Sequence, residues 1–414
     1  MSRRIGYNPP PIMATVPRPA SSSAARRMTE RGAALWRAIR RQYDLPRGVI
    51  NLNNGGVCPT ARPVLAAMNR FWQQSNRAPV WTMWEELVPR VERVRAQLAA
   101  MFGCQPGELA ITRNASESMQ ILLLGLPLRA GDEILTTDQD YVRMLTTIRQ
   151  RVRRDGVRLR AVPAPAPARS ADELFAVFAN AVTARTRVML VSHVAHMTGQ
   201  VYPVRRIVDF ARRRGIVCLV DGAHGFAHLP DRRGDLGCDY YGASLHKWLG
   251  APFGTGLLCV RRTRLRGVWP LLAASRQQDG DIRKFEEFGT HAVAPRLAIG
   301  AAIDFQRRIG PRRKLARLRA LRDRWATRLA NHERVLLRTS LSPDLSAGFA
   351  AMAVKGIDSR RLRDWLWRRH RILVSWIDHP RIHGIRITPN VYTTPEEVDR
   401  FAAAIESAIH HGLR

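Results

Sequence analysis

Lysine is scarce in this chain: four of its 67 basic residues are lysines and the rest are arginines. Acid is scarce as well, with 34 Asp and Glu, so the net charge is +33. Such an excess raises nucleic acid or an acidic membrane as a partner. The arginines are spread along the whole chain, with no basic tail and no nucleic-acid motif, which reads as an arginine-rich solvated surface. Cysteines number five (Cys58, Cys104, Cys218, Cys238, Cys259), with no CxxC or Cys/His ligand spacing. That excludes a disulfide framework or a zinc site and implies a reducing compartment. Long apolar runs are missing too. The longest, Ile121 to Leu128, is broken by Gly125 and Pro127, whereas a membrane helix needs about 20 residues. Arg3-Arg4 has no apolar stretch behind it, so export is not expected. A cytoplasmic protein without a membrane partner is the expectation.

With 414 residues, 45% of them apolar, the chain is long enough for two domains and a large core. Residues 1–30 carry Pro9 to Pro11, Pro17, Pro19 and Ser21 to Ser23, the composition of a disordered tail. An arm over 31–50 follows, with a helix at Ala33 to Tyr43. The expected division is then a large domain at 51–270 and a smaller one at 271–414. From 60 to 260, helical and strand patterns alternate, which predicts an α/β fold with a mainly parallel sheet. Predicted strands include Asp132–Thr136, Arg158–Val162, Arg187–Val191, Ile216–Val220, Asp239–Ala243 and Leu257–Val260. Predicted helices include Pro63–Gln73, Glu85–Phe102 and Asp172–Val182, the last capped by Ser170 with Glu173. After 262 the pattern shifts to helices at Arg296–Arg308 and Arg312–Asn331. Strands at Ala347–Val354, Ile372–Trp376 and Gly384–Thr388 and a final helix behind Thr394-Pro395 complete a smaller α+β part.

Residues 217–262 stand out. A strand ends on Asp221, followed by Gly222-Ala223-His224. The next strand leads into Ser244-Leu245-His246-Lys247, with Gly250, Gly254 and Gly256 behind it. Open α/β sheets present ligand sites at the carboxyl ends of their strands. Asp221 and Lys247 lie 26 residues apart with one predicted strand between them. Pyridoxal phosphate needs that pair: an amine to hold its aldehyde as a Schiff base, and a carboxylate for its pyridinium nitrogen. Taken singly, a capping aspartate and a surface lysine would be the ordinary reading. Lysine scarcity and the charge-poor surroundings of Lys247 weigh against it.

VDGAHGFAH followed by SLHKWLGAPFGTG resembles the class V aminotransferase family of fold-type I pyridoxal phosphate enzymes, over roughly residues 50–410. The HKW…GTG form is similar to the isopenicillin N epimerase-like branch, beside the cysteine desulfurase-like one. The resemblance implies a homodimer with a mainly parallel, seven-stranded sheet in its large domain, acting on an amino acid or amine. It implies Lys247 as the Schiff-base lysine, Asp221 on the ring nitrogen and His224 packed against the ring. Asn114, Ala115 and Ser116, at a helix start, would take the cofactor phosphate with Ser244 and His246. A helix N-terminus suits an anion, though the same residues suit an ordinary cap. Thr290, after Gly289, would reach the phosphate of the neighbouring subunit. Tyr141 is the candidate for stacking on the ring, with Gln139 as the alternative. His196 stands where relatives carry an Asn facing the ring hydroxyl, and His193 matches a family position directly. Arg386 would bind the substrate α-carboxylate through two parallel bonds, and Asn53 and Asn54 are further candidate substrate contacts. Loss of the α-proton leads equally to transamination, epimerisation or loss of a β-substituent, and the sequence leaves all three open. A C–S lyase and a basic nucleic-acid-binding protein on a retired scaffold are the alternatives. Desulfurase chemistry needs a mobile reactive cysteine in the C-terminal part, and none follows Cys259.

Overall fold

A computed structural model describes residues 32–413. The tail expected over 1–30 lies outside the described residues. Helix α1 covers 32–40, and β1 (Ile50–Asn51) follows a turn. Then come α2 (Arg62–Ser75), whose Pro63 lies in the first turn, a π-helical stretch at Val80–Leu87, and α3 (Val88–Phe102). The expected helix at Glu85–Phe102 is thus wound differently in its first part. Gly103 ends it at φ 80°, a left-handed conformation that costs glycine little.

The next stretch alternates as the sequence pattern requires. It runs β2 (Leu109–Thr112), α4 (Ala115–Gly125), β3 (Glu133–Thr137), α5 (Val142–Asp155), β4 (Arg158–Val162), α6 (Ala171–Ala179) and β5 (Thr186–Ser192). It continues with α7 (Val204–Arg213), β6 (Val217–Asp221), α8 (Arg233–Leu236), β7 (Tyr240–Ser244) and β8 (Gly256–Val260). These strands form one seven-stranded sheet in the order β2-β8-β7-β6-β5-β3-β4. β3 to β7 run parallel, while β8 is antiparallel to both its neighbours. The central strands are apolar and buried, as expected when helices cover both faces of a parallel sheet. Their shared direction puts Ser192, Asp221 and Ser244 at one edge: Ser192 is level with Asp221, and Asp221 with Gly242.

α9 (Val293–Ile309) and α10 (Pro311–Ala330) meet at Gly310. After them come β9 (Val335–Leu337), β10 (Ala350–Val354), α11 (Ser359–His370), β11 (Ile372–Leu373), β12 (Ser375–Ile377), β13 (Gly384–Ile387) and α12 (Pro395–His411). A four-stranded antiparallel sheet has the order β12-β13-β10-β9. The single strand expected over Ile372–Trp376 is two strands in different sheets, because β11 pairs with β1 instead. The 270/271 boundary expected from the sequence runs through shared packing: Val293, Leu297 and Ile303 of α9 join Val64 and Leu98 in the core beside the large sheet. Leu321 and Trp325 of α10 join Met352, Ile385 and Phe401 in the second core. Among the described residues, no helix is long and apolar enough to cross a membrane.

Candidate active site

The carboxyl ends of β5, β6 and β7, the first turn of α4 and the four-stranded sheet enclose a cavity of about 480 Å³. The large sheet contributes Ser192, Asp221 and Ser244, and the loops behind the strands contribute His196, His224, His246 and Lys247. The smaller sheet contributes Arg386 from β13 and Trp376 from β12.

Lys247 is in the loop between β7 and β8. Its amine is pushed down from 10.5 to about 8, by burial first, while Asp221 opposes the shift and Arg386 adds to it. Asp221 is buried, and its carboxylate accepts the Ala223 N–H at 2.9 Å. Burial raises its pKa to about 6, against that hydrogen bond and the charge of Lys247. A cation beside the carboxylate would bring it back down. His224 joins the pair: its Nε2 is 3.1 Å from Lys247 Nζ, and its Nδ1 accepts the Trp248 indole N–H at 3.3 Å. Burial lowers the His224 pKa, so the ring is neutral with its one proton on Nε2. That proton faces Lys247 Nζ and meets its lone pair when the amine is uncharged.

Arg386 is buried; its Nη1 donates to His196 O at 2.6 Å and its Nη2 to Asn53 Oδ1 at 3.2 Å. Its Nε has no partner. Gly55 makes this packing fit, since a Cβ there would stand 3.2 Å from the guanidinium carbon. His196 and His246 each keep a buried Nδ1 without a partner. Burial, helped by Arg386, takes the His196 pKa down to about 3, so His196 is neutral. At the start of α4, Asn114 Oδ1 accepts the Glu117 N–H at 2.9 Å, and Ser244 Oγ accepts the Ala115 N–H at 2.9 Å. Asn114, Ala115 and Ser116 all line the cavity.

Several expected residues are placed differently. Asn54 does not reach the cavity: its Nδ2 donates to Asn51 O and Thr388 O, and its Oδ1 accepts from the Tyr392 hydroxyl. Asn53 is the one that touches Arg386. Gln139 is buried and turned away, donating to Ala164 O at 2.7 Å. Tyr141 does line the cavity, with its ring edge-on to His196 at 5.5 Å. His193 lies behind the wall, between the Tyr241 hydroxyl and Asp231. Thr290 is exposed and lies outside this chain's own cavity. Trp248, Arg143, Trp376 and Asp378 were not singled out from the sequence. Only Trp248 had a signal, its place beside Lys247.

An amine, a carboxylate and a helix N-terminus beside unpartnered imidazole nitrogens suit an aldehyde-bearing ring with a phosphate arm. Among the described residues, no group of His, Cys, Asp and Glu is arranged to hold a metal ion. The aminotransferase class-V family profile matches residues 50–401. The isopenicillin N epimerase of Streptomyces clavuligerus is 34% identical over 391 residues, covering 90% of this chain and 98% of that protein. The isopenicillin N epimerase of Amycolatopsis lactamdurans is 33% identical over 398 residues, with the same coverages. The apo structure of a cysteine desulfurase from Thermococcus onnurineus NA1 superposes with a TM-score of 0.80 at 23% identity, covering 90% of this chain and 98% of that one. The chain belongs to the aminotransferase class-V family and is a pyridoxal phosphate enzyme.

Proposed function

We propose that this enzyme inverts or exchanges the hydrogen at the α-carbon of an amino acid, as an epimerase. The observation that carries the reading is the convergence of Lys247, Asp221, His224 and Arg386 on one cavity. Likeness over 98% of the length of two isopenicillin N epimerases supports the epimerase branch. The cavity lining contains no cysteine, which weighs against a persulfide-forming desulfurase, since that chemistry needs a thiolate at the substrate.

Lys247 would hold the cofactor covalently and Asp221 its ring nitrogen, while Asn114, Ala115, Ser116, Ser244 and His246 would hold its phosphate. When bound, pyridoxal phosphate draws electrons away from the substrate α-carbon. Lys247 acts as the base that removes the α-proton, and a pKa of about 8 suits a base working near neutral pH. His224 Nε2–H stabilises the uncharged amine. Arg386 orients the α-carboxylate, with Asn53 Oδ1 and His196 O fixing its guanidinium. In this reading the enzyme is a cytoplasmic homodimer, and Thr290 of each chain serves the phosphate site of the other. All five cysteines are unpaired, which supports a reducing compartment.

The test is a panel of L- and D-amino acids in deuterated water, with and without a keto-acid acceptor. Loss of optical purity with deuterium at the α-carbon and no keto acid is expected. Keto acid formed only with the acceptor would make it an aminotransferase, and release of a β-substituent would make it a lyase.

A further inference from the structure

Lys314 is one of four lysines in the chain, and it does not line the active-site cavity. It lies in the first turn of α10 and is 2% exposed. Among the described residues no carboxylate pairs with it. A buried ammonium without a counter-charge is costly, so the position calls for a reason. Its Nζ donates to Trp248 O and, at 3.0 Å, to Gln306 Oε1.

Trp248 O is the middle one of three consecutive carbonyls, and each is held by a buried donor from a different part of the chain. Lys247 O accepts from Cys58 Sγ at 2.8 Å, Trp248 O from Lys314, and Leu249 O from Gln306 Nε2 at 3.1 Å. Cys58 follows β1, Gln306 is in the last turn of α9, and Lys314 opens α10. Gly250 lies directly on this platform: a Cβ there would meet Cys58 Sγ and Gln306 Nε2, each at 3.9 Å. Its φ of 69° turns the chain there. The platform answers a need. Trp248 and Leu249 are 1% exposed, so water cannot serve their carbonyls, and buried carbonyls require donors.

We propose that Cys58, Lys314 and Gln306 form a carbonyl clamp that fixes the backbone of residues 247–249 and so aims the Lys247 amine into the cavity. Lys314, the central member, is a positioning residue. The purpose of the clamp rests on Lys247 being the cofactor lysine. It does not depend on the charge of Lys314. Burial takes Lys314 down to about 7, and a neutral amine still has two N–H bonds for its two acceptors. Reaction geometry tolerates little displacement, so a loop that shifts would weaken an otherwise intact site.

The test compares the full-length wild type with Lys314→Met, which keeps the stem and removes the donor, and with the milder Cys58→Ala. In the cofactor-free proteins, amide exchange over 245–256 should rise about tenfold in Lys314→Met, with β10 and α12 unchanged. Capture of added pyridoxal phosphate by Lys247, followed by its visible band and by borohydride labelling mapped by mass, should slow about tenfold in Lys314→Met and about threefold in Cys58→Ala. A general loss of stability would instead raise exchange everywhere, and that outcome overturns the clamp. So does unchanged exchange and capture in folded Lys314→Met. If Lys314→Met does not fold, Cys58→Ala decides by the same two measurements. A wild-type label on another lysine would overturn the cofactor reading instead, and the exchange of the 245–256 loop still decides the clamp.

Discussion

The two sides of the loop between β7 and β8 are built on opposite rules. On the cavity side, His246 Nδ1, His196 Nδ1 and Arg386 Nε are buried without a partner. On the far side, three carbonyls in a row are each paired with a buried donor. Both sides are buried, so solvent does not explain the difference. Native proteins pair nearly all their buried polar groups. These three belong to residues that line the cavity, where a ligand would supply partners, while other unpaired buried atoms, such as Tyr202 Oη and Trp325 Nε1, lie elsewhere. The paired side is frame and the unpaired side is receptor. Lys247 belongs to both, through its carbonyl on one and its amine on the other.

The largest break in this comparison is Lys247→Ala. The wild type should be yellow when purified, with borohydride fixing the cofactor on Lys247, and the variant should show neither band nor label. Losing the base should lower turnover by about 10²–10⁴-fold. The variant should still bind the cofactor through its phosphate, measured by equilibrium dialysis, because the start of α4 is untouched.

Arg386→Ala tests one of the unpartnered groups. The visible spectrum and fold should stay intact. A charge-assisted, desolvated contact is lost, which costs about 1.5–3 kcal/mol, or roughly ten- to a hundredfold in kcat/KM. Arg386→Lys should recover part of it, because a point charge cannot make two parallel bonds. The corresponding decarboxylated amine should be nearly insensitive, and equal losses on acid and amine would return Arg386 to a structural role.

A pH series sharpens the paired side. Lys314 has a folded pKa of about 7 against 10.5 unfolded, so above pH 7 the unfolded chain binds more protons. Stability therefore rises with pH across 7 to 9. Cys58, raised to about 11, opposes this only above pH 9. The Tm of the cofactor-free wild type should climb over that window, and Lys314→Met should flatten the climb, leaving the contributions of Lys247, Lys284 and Cys104, whose pKa values are lowered as well. Parallel curves for the two proteins would show that Lys314 keeps its ordinary pKa.

The smallest effect is expected at Thr290. Thr290→Ala should weaken cofactor retention by about 0.5–1.5 kcal/mol, the worth of one hydrogen bond. Sedimentation should give a dimer, and a monomer with full cofactor occupancy would contradict the role.

Much of the site was legible because its signals are local. Strand ends, glycine turns and the Ser170 and Thr394 helix caps each depend on a few neighbouring residues, and Ser170 and Thr394 do accept the expected N–H groups. The Asn53/Asn54 choice was not legible. Adjacent residues in an extended segment point to opposite sides, and which side faces Arg386 is set by the bridge from Asn53 to Thr388. Nor was the short β1, whose two residues become a strand only by pairing with β11, more than three hundred positions away.

The sequence by itself determined the alternation that makes a parallel sheet, the acid and lysine at successive strand ends, and hence the cofactor. It did so because a continuous apolar run, its terminal acid and a glycine-bounded loop are properties of contiguous residues. Only the tertiary structure decided what surrounds that pair. Cys58, Gln306 and Lys314 meet under Lys247 because α9, α10 and the segment after β1 pack against one loop, and no local pattern encodes that meeting. Lysine scarcity drew notice to Lys247 and not to Lys314, whose acceptor is a backbone carbonyl, and a carbonyl leaves no trace in a sequence.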